Sequence, residues 1–120
     1  HSAGGVSFLD RSGRALFVGD LLYLGRMYLF FADSDVDAFR ESLRRVCEVL
    51  DEVDLIFPAH DKAPIEPRDV LAIRNAFEEV WHGRSGGMLG QWIGYDVTTY
   101  DFGAFSFLIL PEAAFPISPD

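Results

Sequence analysis

His1-Ser2-Ala3-Gly4-Gly5-Val6-Ser7-Phe8-Leu9-Asp10-Arg11-Ser12-Gly13-Arg14-Ala15-Leu16-Phe17-Val18-Gly19-Asp20 is the stretch on which the reading of this chain turns. Val6-Ser7-Phe8-Leu9 and Ala15-Leu16-Phe17-Val18 are apolar, β-favouring runs, and Asp10 to Arg14 between them is turn chemistry, so the pattern predicts a β-hairpin. A hairpin brings the chain back to the rim it started from. His1, before the first strand, and Asp20, after the second, therefore share one edge. Gly4 and Gly5 let the entering backbone bend, and Gly19 removes a side chain beside the acid, as a crowded site requires. Further on, Leu55-Ile56-Phe57 reads as a short buried strand ending in Pro58-Ala59-His60. A helix lies between, so the His60 strand is expected to return beside the hairpin.

Two helical stripes frame that strand. Val36, Phe39, Leu43, Val46 and Leu50 recur at spacings of three and four, with Arg40, Glu41, Arg44, Arg45 and Glu48 opposite them as a solvated face. Ser34 to Asp37 reads as the capping box that starts this helix. Glu66-Pro67 opens the second helix, whose buried stripe is Val70, Ile73, Phe77, Val80 and Trp81. Gly83 to Gly90 reads as a glycine-rich connector. It lacks the Gly-Lys-Ser/Thr of a phosphate loop. Tyr95 to Phe102 and Phe105 to Leu110 read as two strands around Gly103-Ala104 that close the sheet.

A His, an Asp and a His, each on the loop at a strand end, resemble the metallo-β-lactamase superfamily. That family has a Gly-His-Ser/Thr-Pro-Gly loop, a Phe-x-Gly-Asp strand end and a Pro-Gly/Ala-His loop. The matching residues here are His1-Ser2-Ala3-Gly4-Gly5, Phe17-Val18-Gly19-Asp20 and Pro58-Ala59-His60, with Ala3 where the family usually has Pro. The family's His-x-His-x-Asp-His motif is absent from the chain. The resemblance covers nearly all the residues but only the C-terminal half of a family domain. It implies an α/β fold, the C-terminal half of a four-layer αββα sandwich, with one mixed sheet and two main helices packed on it. Residues 1–120 are then a single partial domain whose N-terminal half lies elsewhere. A chain that begins on a candidate ligand with no initiator Met reads as a fragment.

The resemblance also implies chemistry. His1 and Asp20 hold one divalent metal ion, Asp20 and His60 a second, and Asp20 is the catalytic bridge between them. Imidazole and carboxylate suit zinc, with iron or manganese as alternatives. A metal-bridging hydroxide then cleaves an ester, thioester or related acyl bond of a small-molecule substrate. With only part of the binuclear site, this chain alone is expected to be inactive. The run Gly-Asp-x-Leu-Tyr/Phe followed by an Arg and aromatics is similar to hydroxyacylglutathione hydrolases, where the corresponding loop grips the thiol portion of the substrate. That similarity makes Tyr23, Arg26 and Tyr28 candidate substrate-binding residues, with Arg26 able to hold a carboxylate bidentately. Asp61, next to His60, is a candidate to orient an imidazole.

Rival readings come from other classes. In one, the chain is a catalytically inactive interaction or assembly module, presenting the apolar Leu21 to Phe31 segment to a partner or to a second copy in a homo-oligomer. In another, a mature N-terminal His1 chelates copper; that predicts an all-β sandwich, against two helical stripes. A serine hydrolase would need a Gly-x-Ser-x-Gly elbow, which is not here.

Composition narrows the classes further. At 120 residues, 49% of them hydrophobic, the chain is one domain or less with ample material for a core. A net charge of −9 argues against nucleic acid as partner. Phe105 to Leu110 is too short to span a bilayer, so no membrane is implied and a cytoplasmic location is expected. The one cysteine, Cys47, falls on a helix face and reads as a packing residue.

Overall fold

The hairpin forms. Strand β1 (Phe8–Asp10) pairs antiparallel with β2 (Ala15–Gly19), Phe8 opposite Phe17 and Leu9 opposite Leu16. The turn is held by Asp10, whose Oδ1 accepts from the Ser12 hydroxyl at 2.9 Å and from the Gly13 N–H at 3.1 Å. The structure is a computed structural model and describes residues 7–29 and 36–111. The capping box read at Ser34 falls outside the described residues, as do Gly4 and Gly5.

After Asp20 the chain forms β3 (Arg26–Leu29), then helix α1 (Val36–Glu48), a 3-10 turn (Leu50–Glu52) and β4 (Leu55–Pro58). Helix α2 (Pro67–Trp81) starts where Pro67 tolerates the missing N–H and the Asp69 carboxylate accepts from the Glu66 N–H at 2.8 Å. Strands β5 (Met88–Trp92), β6 (Tyr95–Asp101) and β7 (Ser106–Ile109) complete the α/β fold.

The strands make two mixed sheets, where one was expected. The first has three strands in the order β1-β2-β4, with β4 parallel to β2; the second has four in the order β3-β7-β6-β5, with β3 parallel to β7. The difference comes from the apolar segment that follows Asp20, where the sequence pattern marks no strand. Within it Met27 and Leu29 are buried while Arg26 is exposed and Tyr28 half-buried, a two-residue alternation too short to stand out in a run of apolar residues. The strand they form leaves the hairpin and pairs with β7. The connector read through Gly90 likewise ends in β5, a strand held by its ladder with β6 despite its glycine.

One core serves both sheets. Phe77 of α2 sits at its centre, with its ring edge-on to Phe39 of α1 at 4.9 Å and to Phe107 of β7 at 5.2 Å. Leu16 and Ile56 from the first sheet and Met27 and Ile109 from the second are buried in the same cluster. The helices cover these inward faces. On the outward face of the first sheet Phe17 stacks on Phe57 at 5.1 Å, with Phe8 and Leu55 also exposed. That sheet is therefore apolar on both faces. Among the described residues no helix is long and apolar enough to cross a membrane.

The arginines of α1 divide. Arg44 and Arg45 are solvated and lie near Glu41, as expected for an exposed face. Arg40 departs from that reading: it reaches α2 and donates from Nε and Nη2 to the Glu78 carboxylate at 2.7 and 2.9 Å, its guanidinium 4.3 Å above the Trp81 ring. A stripe plot of one helix cannot show a partner on another. The Arg40 hydrogen bonds hold the Glu78 carboxyl below its ordinary value. Cys47 is half-buried and unpaired, and burial pushes its thiol pKa up, as befits a packing residue.

Two outcomes follow from this packing. Phe77→Ala should cost about 3–5 kcal/mol in unfolding free energy, read by urea denaturation, because the rings around it cannot collapse into the space. The Arg40 pair stabilises the fold above the unfolded-state pKa of Glu78, near 4.5, and that contribution is lost as pH falls through the lower folded value. Glu78→Gln should flatten this part of the acid limb in stability measured against pH.

Candidate functional site

Strands β2 and β4 are parallel neighbours, so their C-terminal ends lie side by side. Gly19 pairs with Pro58, and the Ala59 N–H donates to the Gly19 carbonyl at 2.9 Å, tying the two exits together. Gly19 takes a φ of +57°, a left-handed turn that favours glycine, and a Cβ there would meet nothing within 4 Å. The glycine read as relief of crowding is a backbone requirement instead. Its turn delivers Asp20 to the rim, and β4 delivers His60. Nε2 of His60 lies 2.7 Å from Oδ1 of Asp20, with the side chains 55% and 61% exposed respectively.

Tyr23 fixes one side of this pair. Its ring stands edge-on to the His60 imidazole at 5.3 Å, and its hydroxyl donates to the Arg26 carbonyl at 2.5 Å. Burial, reinforced by Tyr28, Asp61 and Asp20, pushes the phenol above its usual pKa, so it stays an O–H donor. Tyr23, Arg26, Tyr28, His60 and Asp61 line a cavity of about 390 Å³, within the range of small-molecule sites. Arg26 and Tyr28 are held there by Trp92, the guanidinium 4.5 Å from the indole centre and the phenol ring stacked at 6.1 Å. Asp61, at φ 60°, lays its carboxylate so close to Gly25 that a Cβ on Gly25 would fall 2.4 Å from Oδ2.

Residues named from the sequence thus gather at one mouth: Asp20, Tyr23, Arg26, Tyr28 and His60. His1 lies outside the described residues. Among the described residues no group of three or more His, Cys, Asp or Glu side chains is arranged to hold a metal ion. Asp20 and His60 are a pair. Carboxylate oxygen and imidazole nitrogen are donor types that suit a divalent cation, and here the two atoms lie within hydrogen-bonding distance of one another.

Trp92 was not foreseen. The signal for it was Ile93-Gly94, whose φ values of 50° and 79° make a tight hairpin turn and place Trp92 opposite Tyr95. Asp61 enters the site as a wall of the cavity beside Gly25. The apolar segment after Asp20 is largely consumed by the core, with Leu22, Tyr23, Met27 and Leu29 all buried.

No protein family, curated protein or solved structure matches the chain.

Tyr23→Phe keeps the ring against His60 and removes the donor to the Arg26 carbonyl. It should lower stability by about 1 kcal/mol in urea denaturation. Unchanged stability would show that the hydroxyl does not anchor the loop.

Proposed function

We propose that this chain belongs to a metal-dependent hydrolase of metallo-β-lactamase type that cleaves an ester, thioester or related acyl bond, and that it supplies part of a binuclear site. The observation that carries this reading is the approach of the Asp20 carboxylate and His60 imidazole to 2.7 Å from the ends of adjacent parallel strands. Two divalent ions, zinc by donor preference, would be held by Asp20 with His1 on one side and with His60 on the other. When bound, such ions supply an activated water and an electrophile for the acyl carbonyl.

The chain's own residues do the rest. Asp20 brings the negative charge that offsets the cations. His60 would be a ligand to such an ion, its ring orientation kept by the edge contact to Tyr23. Arg26 offers a planar fork to a carboxylate on the substrate, its flat face already braced by Trp92 so that less freedom is lost on binding. Tyr28 walls the cavity beside it.

We place the chain as the C-terminal half of a four-layer αββα sandwich. What supports this is the first sheet, whose outward face, as exposed among the described residues, carries Phe8, Phe17, Phe57 and Leu55. Sheets bearing parallel pairs are ordinarily covered on both faces, and a second sheet would pack about 10 Å away. The missing N-terminal half is the occupant this reading assigns. Burial of Leu22, Tyr23, Met27 and Leu29 weighs against the assembly-module alternative, which would present those residues.

Asp20→Asn in the polypeptide that includes the preceding half tests the reading. Because Asp20 is exposed, folding should persist. Bound metal, measured by elemental analysis, and acyl-ester hydrolysis should both fall by more than the ~10–100-fold typical of residues that only support a ligand. Hydrolysis at the wild-type rate would overturn it.

A further inference from the structure

Among the described residues, strand β5 is the outer edge of the four-stranded sheet, paired with β6 on one side. Edge strands offer a row of N–H and C=O groups to any incoming strand, and proteins ordinarily guard them with charge, proline or a bulge. Met88-Leu89-Gly90-Gln91-Trp92 has no charge and no proline, and its register with β6 runs unbroken from Met88 opposite Thr99 to Trp92 opposite Tyr95. Met88 and Leu89 point to opposite faces and are 78% and 77% exposed. Ile93 at the hairpin tip is exposed as well.

The charge pattern selects the occupant. Ser85 to Tyr95 contains no charged residue, although charged residues make up 24% of the chain and its net charge is −9. Two copies of so acidic a molecule repel wherever their carboxylates meet. Along this edge they do not meet. The nearest acid, Asp96, is drawn back onto its own sheet by a hydrogen bond from the Gln91 amide at 3.1 Å. A basic partner would instead be attracted to the acidic faces and would gain nothing from a neutral strand.

We infer that β5 is a homodimer interface, in which two copies join their β5 strands antiparallel about a two-fold axis at Gly90. Such an interface is closed and self-complementary. Gly90 faces its own copy, and Leu89 of each copy lies opposite Gln91 of the other. A Cβ at Gly90 would meet nothing within 4 Å, so a side chain introduced there has room on the sheet face. In strand addition the main-chain hydrogen bonds supply much of the affinity.

Sedimentation velocity on the full polypeptide tests this, with Leu89→Lys and, in a Cys47→Ala background, Gly90→Cys. The wild type should sediment at twice the monomer mass. Leu89→Lys, at an exposed position, should halve that mass and leave the far-ultraviolet circular dichroism of the folded chain unchanged. Opposed residues of antiparallel strands have Cα atoms ~4.5–5.5 Å apart, within reach of a disulfide, so oxidised Gly90→Cys should run as a crosslinked dimer. Three results would each overturn the inference: a monomeric wild type, including one in which another part of the polypeptide covers β5; a dimer that survives Leu89→Lys; or a dimer that fails to crosslink at residue 90.

Discussion

The site depends on the parallel pairing of β2 with β4. Antiparallel neighbours would send their following loops to opposite rims, and Asp20 and His60 would end a strand length apart. Parallel strands need a long crossover, and here α1 and the 3-10 turn supply it, so the helix that covers the sheet also sets which rim receives the second loop. The Ala59 to Gly19 hydrogen bond then fixes the two exits to one another. In open α/β sheets ligands bind outside the carboxyl ends of the strands, and that is where the carboxylate and imidazole meet here.

Rigidity is distributed to suit this. The aromatic cluster around Phe77 joins α1, α2 and the second sheet, and the Arg40–Glu78 pair crosses between the helices at the margin of that cluster. Tyr23, a member of the same core, is the ring that reaches His60 at the rim. Asp20 and His60 stay substantially exposed, held from behind by the buried Tyr23 and by the strand ends. A core that specifies the backbone and a solvated pair at its edge is how a fold can hold a carboxylate and an imidazole in place without desolvating them.

Much of this was legible in the residues. The hairpin, both helices and the Leu55 to Pro58 strand follow from apolar periodicity and turn chemistry, because in each the pattern is long or sharply bounded. The rim pair was legible because hairpin and crossover topology dictate where strand ends lie. What escaped depended on contacts distant in sequence. Strand β3 is four residues within an apolar run, and only its partner β7 selects an extended conformation. Strand β5 carries glycine and stands only because β6 pairs with it. Arg40 looked like its neighbours until α2 supplied Glu78 and Trp81. The split into two sheets follows from β3, since its pairing with β7 draws the C-terminal strands away from the hairpin.

Trp92 has a consequence of another kind. The chain's two indoles sit in different settings: Trp81 is sealed against Phe77 and Arg40, while Trp92 shares its surroundings with Arg26 and Tyr28 on the cavity wall. Ultraviolet emission from the first is fixed by the interior. Emission from the second should shift with any change at the guanidinium stacked on it, which would make this indole an optical reporter of the cavity with the first as its internal standard.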